Sequence, residues 1–355
     1  TGQFDIGFDL GLFNNRLRLT ADYYYKKTTD LFTNVDVSPI NGITSYIMNN
    51  GDMLNKGFSI SLNGYPVKTK NFRWYMSTYY SVNLNKVQTD DARNYNLNDY
   101  LNGTAVVSGQ PISTFYSYKF LGLNPQNGAP MFDDWEDRWH LLQGKTLDEV
   151  VPMILVNSGT RDPKFSGDLN NTFTYKNWSL SLNFSYSLGS KVRLFEMYGP
   201  IINGISAAAN VREEFLDRWQ VPGDEKYTVY PSIISPSSPD YEHYRLHYSA
   251  PQRAVGPNSG VPAFANNVWQ MYDDSDLRVV SGNYLKLQSL SFSYRLNDRL
   301  LRKTPFTQLS ISFNTHNCFT ISAKELRGQD PSQAGFADAG LSIRPSYTIG
   351  LNVSF

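Results

Sequence analysis

Six tryptophans and 24 tyrosines in 355 residues make aromatic rings the first candidates for contact chemistry. Trp219, Trp269 and Tyr272 fall in a stretch near residues 190–281 that also holds the run YEHYRLHY, with Tyr241 and Tyr244. A second pair, Trp135 and Trp139, stands in FDDWEDRWH. The flat apolar face of such a ring stacks on sugar rings or packs against peptide side chains. The same rings can instead fill the core of a long loop, because long ordered loops are packed by their own side chains. Spacing alone leaves both readings open.

His243 and His247 stand four apart, a metal spacing on a helix, but the acid of an HExxH motif is missing. Two imidazoles alone are an incomplete site. The acidic sets Asp133, Asp134, Glu136, Asp137 and Asp273, Asp274, Asp276 offer the oxygen ligands that hard Ca²⁺ takes, yet neither carries the glycine turn of a calcium loop. The expectation is no cofactor, with a structural calcium at these acids as the single candidate. Nothing points to an enzyme: there is no GxSxG elbow, no phosphate-binding glycine loop and no Cys/His pairing marked by spacing. The lone Cys318 builds neither a disulfide framework nor a cysteine metal site. A formal net charge of 0 supplies no basic surface for phosphates, which excludes nucleic acid as a partner.

What must position these residues is written in a period of two. In NWSLSLNFSYSL, Trp178, Leu180, Leu182, Phe184, Tyr186 and Leu188 alternate with serines and Asn183. That spacing predicts a strand with faces of opposite polarity. It recurs from Phe4 to Leu12, Leu17 to Tyr25, Phe58 to Leu62, Phe72 to Val82, Leu169 to Tyr175, Leu290 to Leu296, Leu309 to Phe313 and Tyr347 to Phe355, giving nine strands in all. Thr78 and Asn171 interrupt two of the apolar faces. Short connections at 14–15, 66–71, 176–177 and 297–305 alternate strictly with long ones at about 28–55, 85–164, 190–281 and 318–344. Short turns on one side and long loops on the other are the asymmetry of a transmembrane antiparallel β-barrel. The same parity places STFYSYKFLGL, residues 113–123, in a long loop and puts Phe355 at the periplasmic end.

A soluble sandwich would carry many Lys and Glu on its polar face, whereas here that face is mostly Ser, Asn, Thr and Gly. The charges on it, Asp5, Asp9, Arg16, Arg18, Asp22, Arg73, Asp168 and Arg295, mix both signs as a hydrated lumen would, and argue against a strongly anionic or cationic cargo. No apolar run is long enough for a transmembrane helix. An open sheet cannot sit in lipid, because its edge amides would lack partners. Nine strands are therefore expected to be a fragment completed by strands from elsewhere in the same product, and the opening TGQFDIGFDLGLF already lies inside a strand pattern.

The stretches FDIGFDLGLFNNRLRLTADYYYKKTTDLF, NNGDMLNKGFSISLNGYPVKTKNFRWYMSTYYSVNLNKV, GQPISTFYSYKFLGL, FTYKNWSLSLNFSYSLGSKV, RWQVPGDEKY and SGNYLKLQSLSFSYRLN, with the terminal Phe355, occur in this order. Together they resemble the C-terminal half of the SusC-like (SusC/RagA) TonB-dependent outer-membrane transporters of Bacteroidetes. The resemblance implies an all-β fold: about nine strands of a 22-stranded barrel with long extracellular loops, the plug domain and N-terminal strands lying outside residues 1–355. It implies active import of oligosaccharides or oligopeptides with a SusD-like surface lipoprotein as lid, and energy from TonB acting on the missing N-terminal part. Trp135, Trp139, Trp219, Tyr241, Tyr244, Trp269 and Tyr272 then become candidates for substrate or lid contact. Tyr347 and Phe355 resemble the C-terminal signal read by the outer-membrane insertion machinery. The loop at 124–164 lacks the DLNGDG run of many members, so no calcium site carries over there. The barrel pattern itself also fits a passive porin-type channel, and less closely a surface glycan-binding β protein.

Overall fold

The computed structural model describes residues 1–36, 45–49, 51–88, 95–133, 138, 141–142, 145, 147–199, 210–233, 254–255, 261–262, 268–333 and 344–355. Nine strands form one antiparallel sheet in which sequence neighbours are also spatial neighbours. They are β1 (Gly2–Leu12), β2 (Leu17–Thr28), β3 (Asp52–Lys68), β4 (Phe72–Gln88), β5 (Phe165–Tyr175), β6 (Trp178–Leu188), β7 (Tyr284–Arg295), β8 (Gln308–Ser322) and β9 (Ser346–Ser354). Each strand expected from the alternation is present. Several run further than the apolar pattern alone, β3 and β4 reaching 17 residues each.

The short connections show why the strands reverse where they do. Phe13, Asn14 and Asn15 have φ near +52°, +56° and +59°, a left-handed geometry that asparagine tolerates through local hydrogen bonding. The turn between β5 and β6 uses Lys176 at φ +51°. The connection at 66–71 shortens to three residues, because β3 passes a bulge between Gly64 and Val67 and continues to Lys68. The one at 297–305 contains a helical turn, Asp298–Leu301, whose N-cap Asn297 accepts from the Leu300 N–H.

Register keeps the two faces separate across the six pairings from β3 to β9. Asn63, Ser77, Asn170, Asn183, Ser289, His316 and Ser346 line up as one polar row from β3 to β9. One extra residue in β7 would invert that order, since a single-residue slip exchanges the faces. Gln288 is that residue, bulged between Leu287 and Ser289. It therefore lets Leu285 and Leu287 share a face with Leu290, Phe292 and Tyr294. The interrupted alternation before Ser289 has its cause there.

The long connections are not bare loops. Thr114–Tyr118 pairs with Leu155–Thr160, and Phe120–Leu123 with Pro130–Phe132, so residues 113–123 stay outside the large sheet as the parity argument required. These pieces, with helices Leu97–Asn102, Leu147–Ile154 and Val268–Asp273, enclose a core of their own at the long-loop end of the sheet. The apolar face of the sheet, by contrast, is exposed over most of its extent: Phe8 is 57% exposed, Ile311 51% and Ile349 76%, while Val82 and Leu287 are buried.

Candidate functional site

Two regions carry the candidate side chains: the polar face of the sheet and the loop body above its end. On the polar face, Asp5, Asp9, Arg18, Asp22, Arg73, Asp168 and Arg295 occupy register positions between serines, threonines and asparagines. Arg18 forms an ion pair with Asp9 at 2.8 Å, and Thr20 also donates to that carboxylate. Gln3 donates to Asp5 at 2.7 Å, and Asn170 to Asp168 at 2.9 Å. Arg16 departs from expectation. It belongs to the turn before β2, and its guanidinium reaches the carbonyls of Tyr65 and Pro66 rather than standing on the strand.

A cavity of about 670 Å³ lies on this face at the short-turn end, lined by residues from β5 through β9 that include Thr174, Ser179, Ser293, Arg295, Ser312 and Asn352. One cavity touching five consecutive strands makes the polar face concave. Tyrosines cross it and its reverse where glycine leaves room: Tyr24 spans Gly57 to donate to Asn83 at 2.8 Å, and Tyr186 spans Gly167.

In the loop body, the aromatic candidates are core. Trp219 is 7% exposed, Trp269 4% and Tyr272 0%, so these rings pack within the loop body and present little surface to a ligand or lid. The Trp269 indole N–H donates to the Ser232 carbonyl at 3.1 Å, and Tyr272 meets Tyr198 edge-on at 5.4 Å. Trp219 closes over Gly128, whose φ of +69° and contact with the ring leave no place for a Cβ. Trp135, Trp139, Tyr241 and Tyr244, with His243 and His247, lie outside the described residues.

The acids of the 273–276 set diverge instead of converging. The N–H groups of Met197, Tyr198 and Gly199 donate to the Asp273 carboxylate at 2.9, 2.8 and 2.7 Å. Asp274 faces Arg193 at 3.7 Å, while Asp276 takes Lys119 at 2.8 Å and the Phe120 N–H at 3.0 Å. Of the other set only Asp133 is described, and it pairs with Arg138 at 2.5 Å. Among the described residues no three His, Cys, Asp or Glu side chains gather as metal ligands would. The network adds two arginines that no motif marked, Arg278 buried and Arg193 partly buried. Arg278, 1% exposed, donates to the Phe195 carbonyl at 2.6 Å, and Arg193 donates to the carbonyls of Leu101 and Tyr116 and to the Ser117 hydroxyl. Three separate stretches of chain are thereby locked around four charges.

Burial pushes Asp273 up to about 6, against the pull of Arg278 and the three N–H groups, and pushes Asp274 up to about 6 against Arg193. Their ordinary value is 3.8, so the folded state holds these protons more tightly than the unfolded one. The sign follows from linkage: the stability they contribute is greatest below that ordinary value and falls as pH rises through the folded value. Asp224 behaves oppositely. The Val221 and Gln220 N–H groups hold it below 3.8, so its contribution is present above that value and lost as pH falls. The opening free energies of the Met197–Gly199 amides, obtained by hydrogen exchange between pH 4 and 7, should fall with rising pH while those of the 220–224 turn do not. Equal slopes at both places would refute this assignment.

Against known proteins, the model of the family "TonB dependent receptor-like, beta-barrel" matches residues 3–212, more than half of the chain. The chain belongs to that TonB-dependent receptor β-barrel family. It is 25% identical to TonB-dependent receptor P3 of Formosa agariphila over 99% of this chain and 34% of the relative. It is 27% identical to TonB-dependent receptor SusC of Bacteroides thetaiotaomicron over 57% of this chain and 20% of that protein. Its fold matches the RagAB peptide transporter at a TM-score of 0.70 with 21% identity, covering 99% of this chain and 35% of that one. The chain thus spans about a third of the length of the relatives that match its whole extent. This TonB-dependent receptor barrel comes from a family of transporters, not of enzymes, and membership implies an outer-membrane location.

Membership explains the exposed apolar face and raises a question about its two polar interruptions. In hydrocarbon only the protein can satisfy them. It does: the Trp74 indole N–H donates to the Asn171 side-chain oxygen at 2.9 Å, and the Thr78 hydroxyl donates to the Asp168 carbonyl at 3.0 Å. Trp74→Phe should cost about 1–3 kcal/mol by leaving the Asn171 amide without its donor. Adding Asn171→Leu should recover most of that loss. Urea unfolding of the full-length barrel refolded in lipid vesicles reads both, and a Trp74→Phe variant as stable as the parent would show that the bond contributes nothing.

Proposed function

We propose that this chain is the C-terminal part of the barrel of a TonB-dependent importer that carries oligosaccharides or oligopeptides across the outer membrane, with a SusD-like lipoprotein as its lid. The carrying observation is the concave face of Ser, Thr, Asn and mixed charges lying behind an apolar face exposed over most of its extent. A polar concave surface suits a path for polar oligomers, and the alternating Asp and Arg give no single sign that would select a polyion. The long loops then lie outside the cell, and Phe355 at the periplasmic rim. The edge strands β1 and β9 pair with strands in the rest of the protein. The fold match titled a peptide transporter supports peptide cargo, while glycan cargo rests on the resemblance to the SusC-like family alone.

The full-length protein, isolated from outer membranes through an affinity tag, tests this reading. It should bring down a surface lipoprotein and bound oligomer, which mass spectrometry identifies as glycan or peptide. Uptake of that oligomer should vanish in cells without TonB. Undiminished uptake in those cells would replace the importer by the passive porin-type channel.

A further inference from the structure

We infer that residues 323–333 form a strap folded inward across the polar face, and that this strap sets the size of what can pass the mouth of the lumen. The inference rests on the reading that the polar face lines the transport path. Its origin is a buried cation. Lys286 stands on β7 opposite Ser185 and Thr320, within the polar set, yet it is only 4% exposed. Its ammonium meets the Asp330 carboxylate at 3.2 Å, and both side chains are almost wholly enclosed. Asp330 lies beyond β8 in the chain, so it reaches Lys286 only by lying over the face to which Lys286 belongs.

Two more anchors hold the strap in place. The Gln329 side chain accepts from the Phe195 N–H at 3.1 Å and donates to the Arg193 carbonyl at 3.2 Å. Leu326, 1% exposed, packs into an apolar cluster with Val192 and Leu194. The strap therefore joins the segment leaving β6 to the inner side of β7. An ion pair, an amide bridge and a buried leucine fix it as a constriction rather than a mobile flap. Ser332 holds Asp330 in orientation, donating from its N–H at 2.9 Å and its hydroxyl at 2.6 Å.

The test uses the full-length transporter in intact cells, with Cys318→Ser as background and a reporter cysteine at Asn183→Cys, on the polar face below Lys286. A small charged maleimide should label the reporter, while a maleimide bearing a polyethylene glycol chain should not. Asp330→Lys places two like charges together and should raise polymer labelling severalfold; the exchange Lys286→Asp with Asp330→Lys should restore exclusion. Leu326→Ser with Gln329→Gly, which leaves Lys286 paired, should open the mouth in the same way if the charge variant fails to assemble. Equal polymer labelling in parent and opened variants would overturn the filter. If the small reagent labels Tyr227→Cys in the exposed loop but not the Asn183 reporter, the lining reading itself falls, and the filter with it.

Discussion

Asp273→Ala is expected to unlock the loop body while leaving the barrel assembled. The substitution strips the acceptor from the N–H groups of buried Met197 and Tyr198 and half-buried Gly199, and removes a carboxylate whose charge acts on Arg278. An unpaired buried donor costs about 1–3 kcal/mol, and breaking one side of a buried charge network about 3–5 kcal/mol. The two overlap, so the local loss should be about 3–5 kcal/mol rather than their sum. Asp273→Asn keeps one acceptor oxygen and should lose less. Hydrogen exchange at residues 197–199 and limited proteolysis near 195–199 report the loss, while the heat-dependent gel mobility of the folded barrel should not change. Unaltered exchange in the alanine variant would mean that these bonds do not hold the loops together.

That network also marks where sequence reading stops. The nine strands were legible because a two-residue period is local: Trp178–Leu188 declares its faces without reference to any other strand. The polar row across the sheet then follows from register, and register from tight turns whose residues, such as Asn14 and Asn15, are also readable. Asn171 was visible as a break in its face, but its remedy was not, since Trp74 lies 97 positions away in sequence. Arg193 and Arg278 carry no spacing signal at all, and neither does the Lys286 to Asp330 pair.

The aromatic candidates show a different limit. Tryptophan and tyrosine reliably indicate large contact areas, but residue type does not say whether the contact is internal or with a partner. Trp269 and Tyr272 sit on a six-residue helix that is too short to be stable by itself and is held by burial. Their rings are the means of that burial. Residues left at the surface of the same loop body are less conspicuous in sequence: Tyr227 at 90% exposure and Leu216 at 72% follow from no periodicity.

The strongest test of which face meets lipid is a charge series on β6. Phe184 lies on the apolar face between Leu169 and Leu287, near the middle of the strand, and Asn183 is its neighbour on the polar face. Arginine at the hydrocarbon midplane costs about 2–4 kcal/mol in a transmembrane barrel, falling to about 0–1 kcal/mol near the interfaces. Phe184→Arg should therefore lose at least that midplane cost, with the lost packing of the ring added. Leu188→Arg, on the same face but about 13 Å further along the strand, should cost far less, and Asn183→Arg should be near neutral. Urea unfolding of the full-length barrel in vesicles measures all three. A protein core covering the apolar face would also reject arginine at Phe184, but it has no reason to grade the penalty with depth. A penalty at Leu188 as large as that at Phe184 would therefore count against lipid, and a penalty at Asn183 matching both would dissolve the distinction between the faces.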